Sequence, residues 1–229
     1  MDSDRRIFVI GDIHGAYEAL LQCMDRSGFS SNKDRLICLG DVADRRTGVK
    51  HCVEELLKVK DLVYVLGNHD LWAMKWMNEM DSPGIWRQQG GEVTMESYRD
   101  GVPDSHLDFF RRAVYYHIES NRLFVHGGIN ESLPLEKQDP DDFLWDRTLV
   151  FNAIEQRGSN RKFTSFDEVF VGHTPTLNFT QEERGNIPSD HPIRACNIWL
   201  LDTGAGWSGG RLTMMDVETK EFWQSDRLE

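Results

Sequence analysis

Ten side chains, gathered in short turns, have the types and spacing for metal-assisted chemistry. Asp12 and His14 stand two apart in Gly11-Asp12-Ile13-His14-Gly15. Asp41 follows Gly40, and Asp44 and Arg45 follow three and four residues later. Asn68 and His69 occupy Gly67-Asn68-His69-Asp70. His126 precedes Gly127-Gly128, and His173 sits between Gly172 and Thr174. Arg147 completes the set in Trp145-Asp146-Arg147. Carboxylate, amide oxygen and imidazole donors together suit Mn, Zn or Fe better than Mg or Ca, which prefer oxygen alone. A set with several Asp and His can hold two cations bridged by one carboxylate, and such a pair, about 3.5–4 Å apart, serves in-line displacement at phosphorus. Taken singly, each turn has a plainer explanation. Asp-x-His is commonly a solvated turn, Asp41 could cap a helix, and Asn68 is an ordinary turn residue. Arg147 could be one half of a surface ion pair. It is their joint occurrence that calls for a common site.

The elements around the turns must bring them together. Residues 6–10, 36–39 and 62–66 are short apolar runs, each ending in one of the polar turns and followed by residues at helical spacing. Tyr17, Leu20, Leu21 and Met24 mark the first helix face, with Gly28 as its stop. Val49, Val53, Leu56 and Leu57 mark the second, and a third helix starts near Leu71. Strand, polar turn, helix, strand is the pattern of parallel βαβ units, in which ligands collect beyond the carboxyl ends of the strands. In the second half, residues 107–112 read as a short helix. Residues 114–119, 122–126, 168–171, 198–202, 212–217 and 221–224 read as a mostly antiparallel strand set. Residues 81–103, 130–142 and 175–196 read as surface connections.

The turns resemble the phosphoprotein phosphatase family of metallophosphoesterases, whose pattern is GDxHG, GDxxDRG, GNHE, HGG and GHT in this order. Leu201–Gly210 is similar to the strand and turn that close that domain, and Trp145-Asp146-Arg147 most resembles the bacterial and bacteriophage lambda type. The resemblance implies a four-layer α-β-β-α sandwich, the calcineurin-like fold, over residues 1–229 as a single domain. It implies that Asp12 and His14 ligate one metal, that Asp41 bridges both, and that Asn68, His126 and His173 ligate the second, with Mn the expected ion and Fe or Zn the alternatives. It implies that Arg45 and Arg147 grip phosphate oxygens and that His69, held by Asp44, is the general acid. A water or hydroxide bridging the metals would attack phosphorus directly, with no covalent enzyme intermediate. The expected activity is serine/threonine protein phosphatase, with a phosphorylated protein or peptide, or a small phosphoester, as substrate. The nearer rival is symmetrical hydrolysis of dinucleoside polyphosphates. A rival of another class, a dead metal- or phosphoprotein-binding module, is disfavoured because every matched ligand and the acid are present.

Two positions depart from the pattern. Arg46 stands where Gly is usual and is expected to point to solvent. Asp70 stands where Glu is usual and is expected to support the ligands from behind. Trp72, Trp76 and Trp86 are read as core or rim packing rather than a substrate groove. His51, His106, His117 and His191 are read as structural, and Asp139, Asp141 and Asp142 as a solvated loop.

Composition sets the remaining bounds. With 229 residues, 39% hydrophobic and 28% charged, the chain can bury a substantial core. A net charge of -12 disfavours a nucleic-acid partner, since backbone phosphate contacts normally need basic excess. Any phosphate site must therefore be made locally positive by Arg or metal. Cys23, Cys38, Cys52 and Cys196 form no Cys-x-x-Cys pair and read as free thiols in a reducing compartment. The charged start and the brief apolar run at 7–10 suit neither signal peptide nor membrane span. The expected protein is cytoplasmic and monomeric or weakly associated.

Overall fold

A computed structural model describes residues 5–159 and 161–229. Ten short strands form two five-stranded sheets. The first contains β1 (Ile7–Ile10), β2 (Arg35–Cys38), β3 (Asp61–Tyr64), β9 (Thr213–Asp216) and β10 (Phe222–Gln224), in the order β10-β9-β1-β2-β3. β1, β2 and β3 are parallel, with Val9 opposite Ile37 and Ile37 opposite Val63, while β9 runs antiparallel to β1. The second sheet contains β4 (Tyr116–Glu119), β5 (Arg122–Val125), β6 (Glu168–Val171), β7 (Ile193–Ala195) and β8 (Ile198–Leu200), in the order β4-β5-β6-β8-β7.

Side chains alternate across each strand, so every central strand feeds two cores. Phe8, Ile10, Leu36 and Cys38 face helices α1 (Tyr17–Ser27), α2 (Val49–Leu56) and α3 (Asn68–Glu79). Their strand neighbours Val9 and Ile37 pack with Phe124 and Phe170 of the second sheet, whose stacked rings have centroids 4.9 Å apart. Leu123, Val125, Val169 and Val171 face the opposite way, toward helices at Pro140–Trp145 and Thr148–Glu155. Three apolar layers therefore separate helix, sheet, sheet and helix, which is the expected four-layer sandwich. Burial on both faces also explains why these strands read as unbroken apolar runs.

Several expectations need correction. The later strands are not one mostly antiparallel set: β5, β6 and β8 pair in parallel, and β9 and β10 belong to the first sheet. Strand β7 lies within the stretch read as connection 175–196. The stretch 81–103 is not a surface loop. It holds helical turns at Gly84–Trp86 and Glu92–Ser97 and inserts Trp86, Thr94 and Tyr98 into the interior. Asp139 is not merely solvated, since its side chain accepts the Asp141 N–H at 3.0 Å and caps the helix Pro140–Trp145. Trp76 and Trp86 are core residues, as expected.

Candidate active site

The carboxyl ends of β1, β2, β3, β5, β6 and β8 open onto one edge of the sandwich, since residues just beyond all six meet there. Asp12, His14, Asp41, Arg45, Asn68, His69, Arg147 and His173 line one cleft of about 140 Å³ there. Asp44 and His126 lie directly behind it, both fully buried. All ten residues singled out in the sequence are therefore brought together.

The turns reach this geometry through unusual backbone. His14, Asp41, Asp44, Arg45 and His173 all have φ between 47° and 73°, the left-handed region. That conformation costs a non-glycine residue roughly 1–2 kcal/mol, and its concentration here marks strain stored at a site. Close approach supplies the rest. A Cβ on Gly67 would lie 2.1 Å from Asp41 Oδ1, and one on Gly172 would lie 2.2 Å from Asp12 Oδ1.

Donor atoms converge on Asp41. Atoms of His14, Asp41 and His69 lie within 4.8 Å of one another, as do atoms of Asp41, His126 and His173, so two potential metal positions share one carboxylate. His14 Nδ1 is 2.9 Å from the Ala43 carbonyl and His126 Nδ1 is 2.8 Å from the Leu39 carbonyl. Each Nδ1 therefore donates to main chain, and each Nε2 is aimed at the cluster, the orientation metal-binding histidines need. His126 Nε2 lies 3.4 Å from Asp41 Oδ2 and 3.0 Å from Asn68 Oδ1. The buried His173 Nε2 has no protein partner. Asp12 stands outside the two tightest triads, and both its oxygens accept the His173 N–H at 3.1 Å. Orphaned imidazole nitrogen, a shared carboxylate and mixed oxygen and nitrogen donors together fit a pair of divalent cations.

The electrostatics have the same origin. Burial would raise the Asp41 carboxyl, but His126, His69 and His14 around it hold it well below its ordinary value. Burial would lower His126, yet Asp41 and Asp12 push it up to about 10. Burial, reinforced by His126 and Arg147, drives His173 down to about 2, and burial likewise takes His14 down to about 3. Asp12 is raised by burial and by the neighbouring Asp202.

His69 sits at the start of α3. Its main-chain N–H donates to Asp41 Oδ1 at 2.9 Å, and its Nδ1 lies 2.6 Å from Asp44 Oδ2, leaving Nε2 for the cleft. Asp44 is fixed by Trp86 Nε1, which donates at 2.7 Å, and by the Thr94 hydroxyl, which donates at 2.6 Å. The former loop 81–103 thus holds the histidine's partner. Asp70 accepts the N–H groups of Val42, Ala43 and Gly67 at 2.8, 3.0 and 3.1 Å, bracing the second and third turns from behind. Arg147 donates to Thr174 Oγ1 at 3.2 Å beside the cleft. Arg46 does not point to solvent. Its guanidinium binds the carbonyls of Ala205, Trp207 and Glu229.

Sequence reasoning gave no cleft role to Gln89, Trp145, Pro175, Asn178, Asp202 and Trp207, which also line it. Asp202 at the end of β8 is buried, and burial together with Asp41 takes it up to about 6 against the opposing Gly204 N–H. The chain signal was available, since Asp202 ends an apolar strand as Asp12 and Asp41 nearly do. Trp145 and Trp207, 36% and 45% exposed, border the mouth, a place expected for none of Trp72, Trp76 and Trp86. Trp72 reaches it only at second hand, 5.3 Å from the His69 ring and 5.0 Å from that of Trp145.

The chain belongs to the calcineurin-like phosphoesterase family, which it matches over residues 5–217. Within that class it is similar to enzymes of two kinds. It is 33% identical over 272 positions to a symmetrical bis(5'-nucleosyl)-tetraphosphatase of Dechloromonas aromatica, covering 96% of this chain and 95% of that protein. It is 29% identical over 218 positions to serine/threonine-protein phosphatase 2 of Salmonella typhimurium, covering 91% of each. A protein serine/threonine phosphatase structure from Saccharomyces cerevisiae shares the fold, with a TM-score of 0.60 and 14% identity over 100% of this chain and 82% of that one. The resemblance to the phosphoprotein phosphatase type is thus upheld, and the protein is a metallophosphoesterase.

Proposed function

We propose that the protein is a phosphomonoesterase acting on phosphorylated protein or peptide, with two divalent cations, Mn before Fe or Zn, at the Asp41 cluster. When bound, the cations would supply positive charge to the phosphate oxygens and an acidified water for in-line attack. Asp12 and His14 would hold one ion, and Asn68, His126 and His173 the other, with Asp41 between them. Arg45 and Arg147 present forked donors to the remaining phosphate oxygens. His69, its Nδ1 held by Asp44, is oriented to give the Nε2 proton to the departing alkoxide, a step worth roughly 10²–10⁴ in rate. His69 also lies within the His14–Asp41 triad. A carboxylate at Nδ1, where His14 and His126 have neutral main-chain carbonyls, supports the acid role because it can stabilise the imidazolium that donates from Nε2. Four unpaired cysteines support a reducing, cytoplasmic setting, and acidity argues against nucleic acid.

One observation favours the protein phosphatase reading. The alignment with the tetraphosphatase runs over 272 positions, more than the 229 residues of this chain, so that relative has segments without counterpart here. A dinucleoside polyphosphate has two bases and a phosphate bridge to hold, and this chain has less structure to hold them. The alignment with the Salmonella phosphatase runs over 218 positions. The rival reading draws on Trp145 and Trp207, whose exposed rings at the cleft could stack on bases. Competition between a phosphoserine peptide and diadenosine tetraphosphate, compared by kcat/KM with Mn, separates the two. We expect the peptide to win. A dinucleotide advantage above about tenfold, roughly 1.4 kcal/mol of differential transition-state binding, would overturn the substrate while leaving the site chemistry standing.

A further inference from the structure

Arg46 is the departure from the family pattern that the proposed mechanism leaves without a use. Asp44 and Arg45 have φ of 73° and 66°, but Arg46 is not in the left-handed region, so a side chain is accommodated there without strain. Its Nε donates to the Ala205 carbonyl at 2.7 Å, Nη2 to the Trp207 carbonyl at 3.3 Å, and Nη1 to the Glu229 main-chain oxygen at 3.0 Å. The same turn is fastened from the other side. Trp207 N–H donates to the Gly204 carbonyl at 2.8 Å, and residues 209, 210 and 228 exchange main-chain bonds of 2.7 and 2.9 Å.

This fastened turn carries the Trp207 ring to Arg45. The Arg45 guanidinium carbon lies 4.2 Å from the Trp207 ring centroid, within cation–π range. Gly206 makes the approach possible, since a Cβ there would be 2.4 Å from Arg45 Cδ and 2.6 Å from His14 Cδ2. Arg45 has little else to hold it. Its Nε is buried with no hydrogen-bond partner, and its backbone N–H makes only a long bond, 3.4 Å, to the Gly90 carbonyl. A long side chain carries about 2 kcal/mol of rotamer entropy, so an unheld arginine would bind an anion less well than one already placed.

We propose that Arg46 and Trp207 are positioning residues: Arg46 locks the 204–207 turn, and the Trp207 ring stacks on Arg45 to hold its guanidinium over the cleft in the phosphate-binding pose. This rests on the assignment of Arg45 as a phosphate grip, not on which phosphoester is the substrate. Trp207 itself need not touch the phosphate.

The test is a double-mutant cycle on the Mn-loaded protein, with inorganic phosphate as the probe. Its affinity is measured by calorimetry, and as a competitive inhibitor of p-nitrophenyl phosphate hydrolysis. Trp207→Ala should weaken phosphate binding about fivefold or more, the range of a partly desolvated cation–π contact. Arg46→Ala should do the same, while Trp207→Phe should restore most of the loss. In an Arg45→Ala background, Trp207→Ala should add less than about twofold, because the group it positions is gone. Unchanged phosphate affinity in Trp207→Ala, or an equal loss with and without Arg45, would overturn the proposal. Thermal melting identifies any variant that fails to fold; if Trp207→Ala does, Arg46→Ala carries the cycle against Arg45→Ala, and equal losses in both backgrounds, or none, would again contradict it. If the dinucleotide proves the better substrate, the cycle is still read on phosphate, so the two failures are distinguishable.

Discussion

At the residue scale, the site rests on side chains held in one orientation by their partners, as Asp44, itself fixed by Trp86 and Thr94, holds His69. Asp12, His14, Asp41, Asn68, His126 and His173 stood out through the joint occurrence of their turns, with the ligand roles supplied by the family resemblance, and the fold gathers them at one cleft. Trp207 did not, because an indole has many uses and only proximity reveals this one, whereas Asp202 had its signal in the apolar run that it ends. The pair His69 and Asp44 gives the sharpest test at this scale. His69→Asn keeps a polar group near the Nδ1 position but cannot donate a proton as imidazole does. We expect turnover to fall about 10²–10⁴-fold with both metals retained by elemental analysis, and to fall less with an aryl phosphate than with phosphoserine, since the aryl leaving group needs little protonation. Loss of metal from His69→Asn, with metal kept in His126→Asn, would mean that the two histidines have exchanged roles.

At the element scale, short apolar runs ending in polar turns identified β1, β2 and β3, and helical spacing identified the helices after them, since each segment is dictated by its own residues. Sheet membership was not legible. β9 and β10 have ordinary strand patterns, and only long-range pairing sends them to the edge of the first sheet instead of the second. The stretch 81–103 misled for a local reason. Its Pro83, Gly84, Gly90 and Gly91 signal turns, yet Trp86 and Thr94 are buried to hold Asp44. The elements also converge more tightly than side chains alone suggest. Gly67 joins β3 to α3 where a Cβ would meet Asp41 Oδ1 at 2.1 Å and Asp41 N at 2.3 Å. The second contact is to backbone, so the clash cannot be relieved by a rotamer change. We expect Gly67→Ala to lose about 1–3 kcal/mol of stability, as overpacking does, together with Mn affinity. Wild-type melting and metal uptake in that variant would contradict the close packing of the two turns.

At the scale of the whole molecule, two stacked sheets aim six strand ends at one edge, and no helix among the described residues is long and apolar enough to cross a membrane. Beside the same edge, Asp190 ties the late segments of the chain together, its carboxylate accepting bonds from Arg211 and Arg227, both at 2.9 Å. Burial would raise Asp190, but these arginines and His191 bring it down to about 2. A carboxyl depressed in the folded state stabilises above its unfolded pKa, near 3.9, and that contribution is lost as pH falls through about 2. Asp190→Asn should therefore lower stability by about 1–3 kcal/mol at pH 6, with the gap to wild type closing between about pH 4 and 2. A gap constant over that range, in urea melts at each pH, would contradict the ion-pair explanation. The central claim is more direct: one edge, built from both sheets, holds two cations and cleaves phosphate esters with them. Its most direct test is a titration of chelator-stripped protein with Mn, following p-nitrophenyl phosphate hydrolysis alongside metal content. We expect no turnover before addition and a plateau near two Mn per chain, lost again in Asp41→Asn. Full turnover by stripped protein in which elemental analysis finds no metal would contradict it.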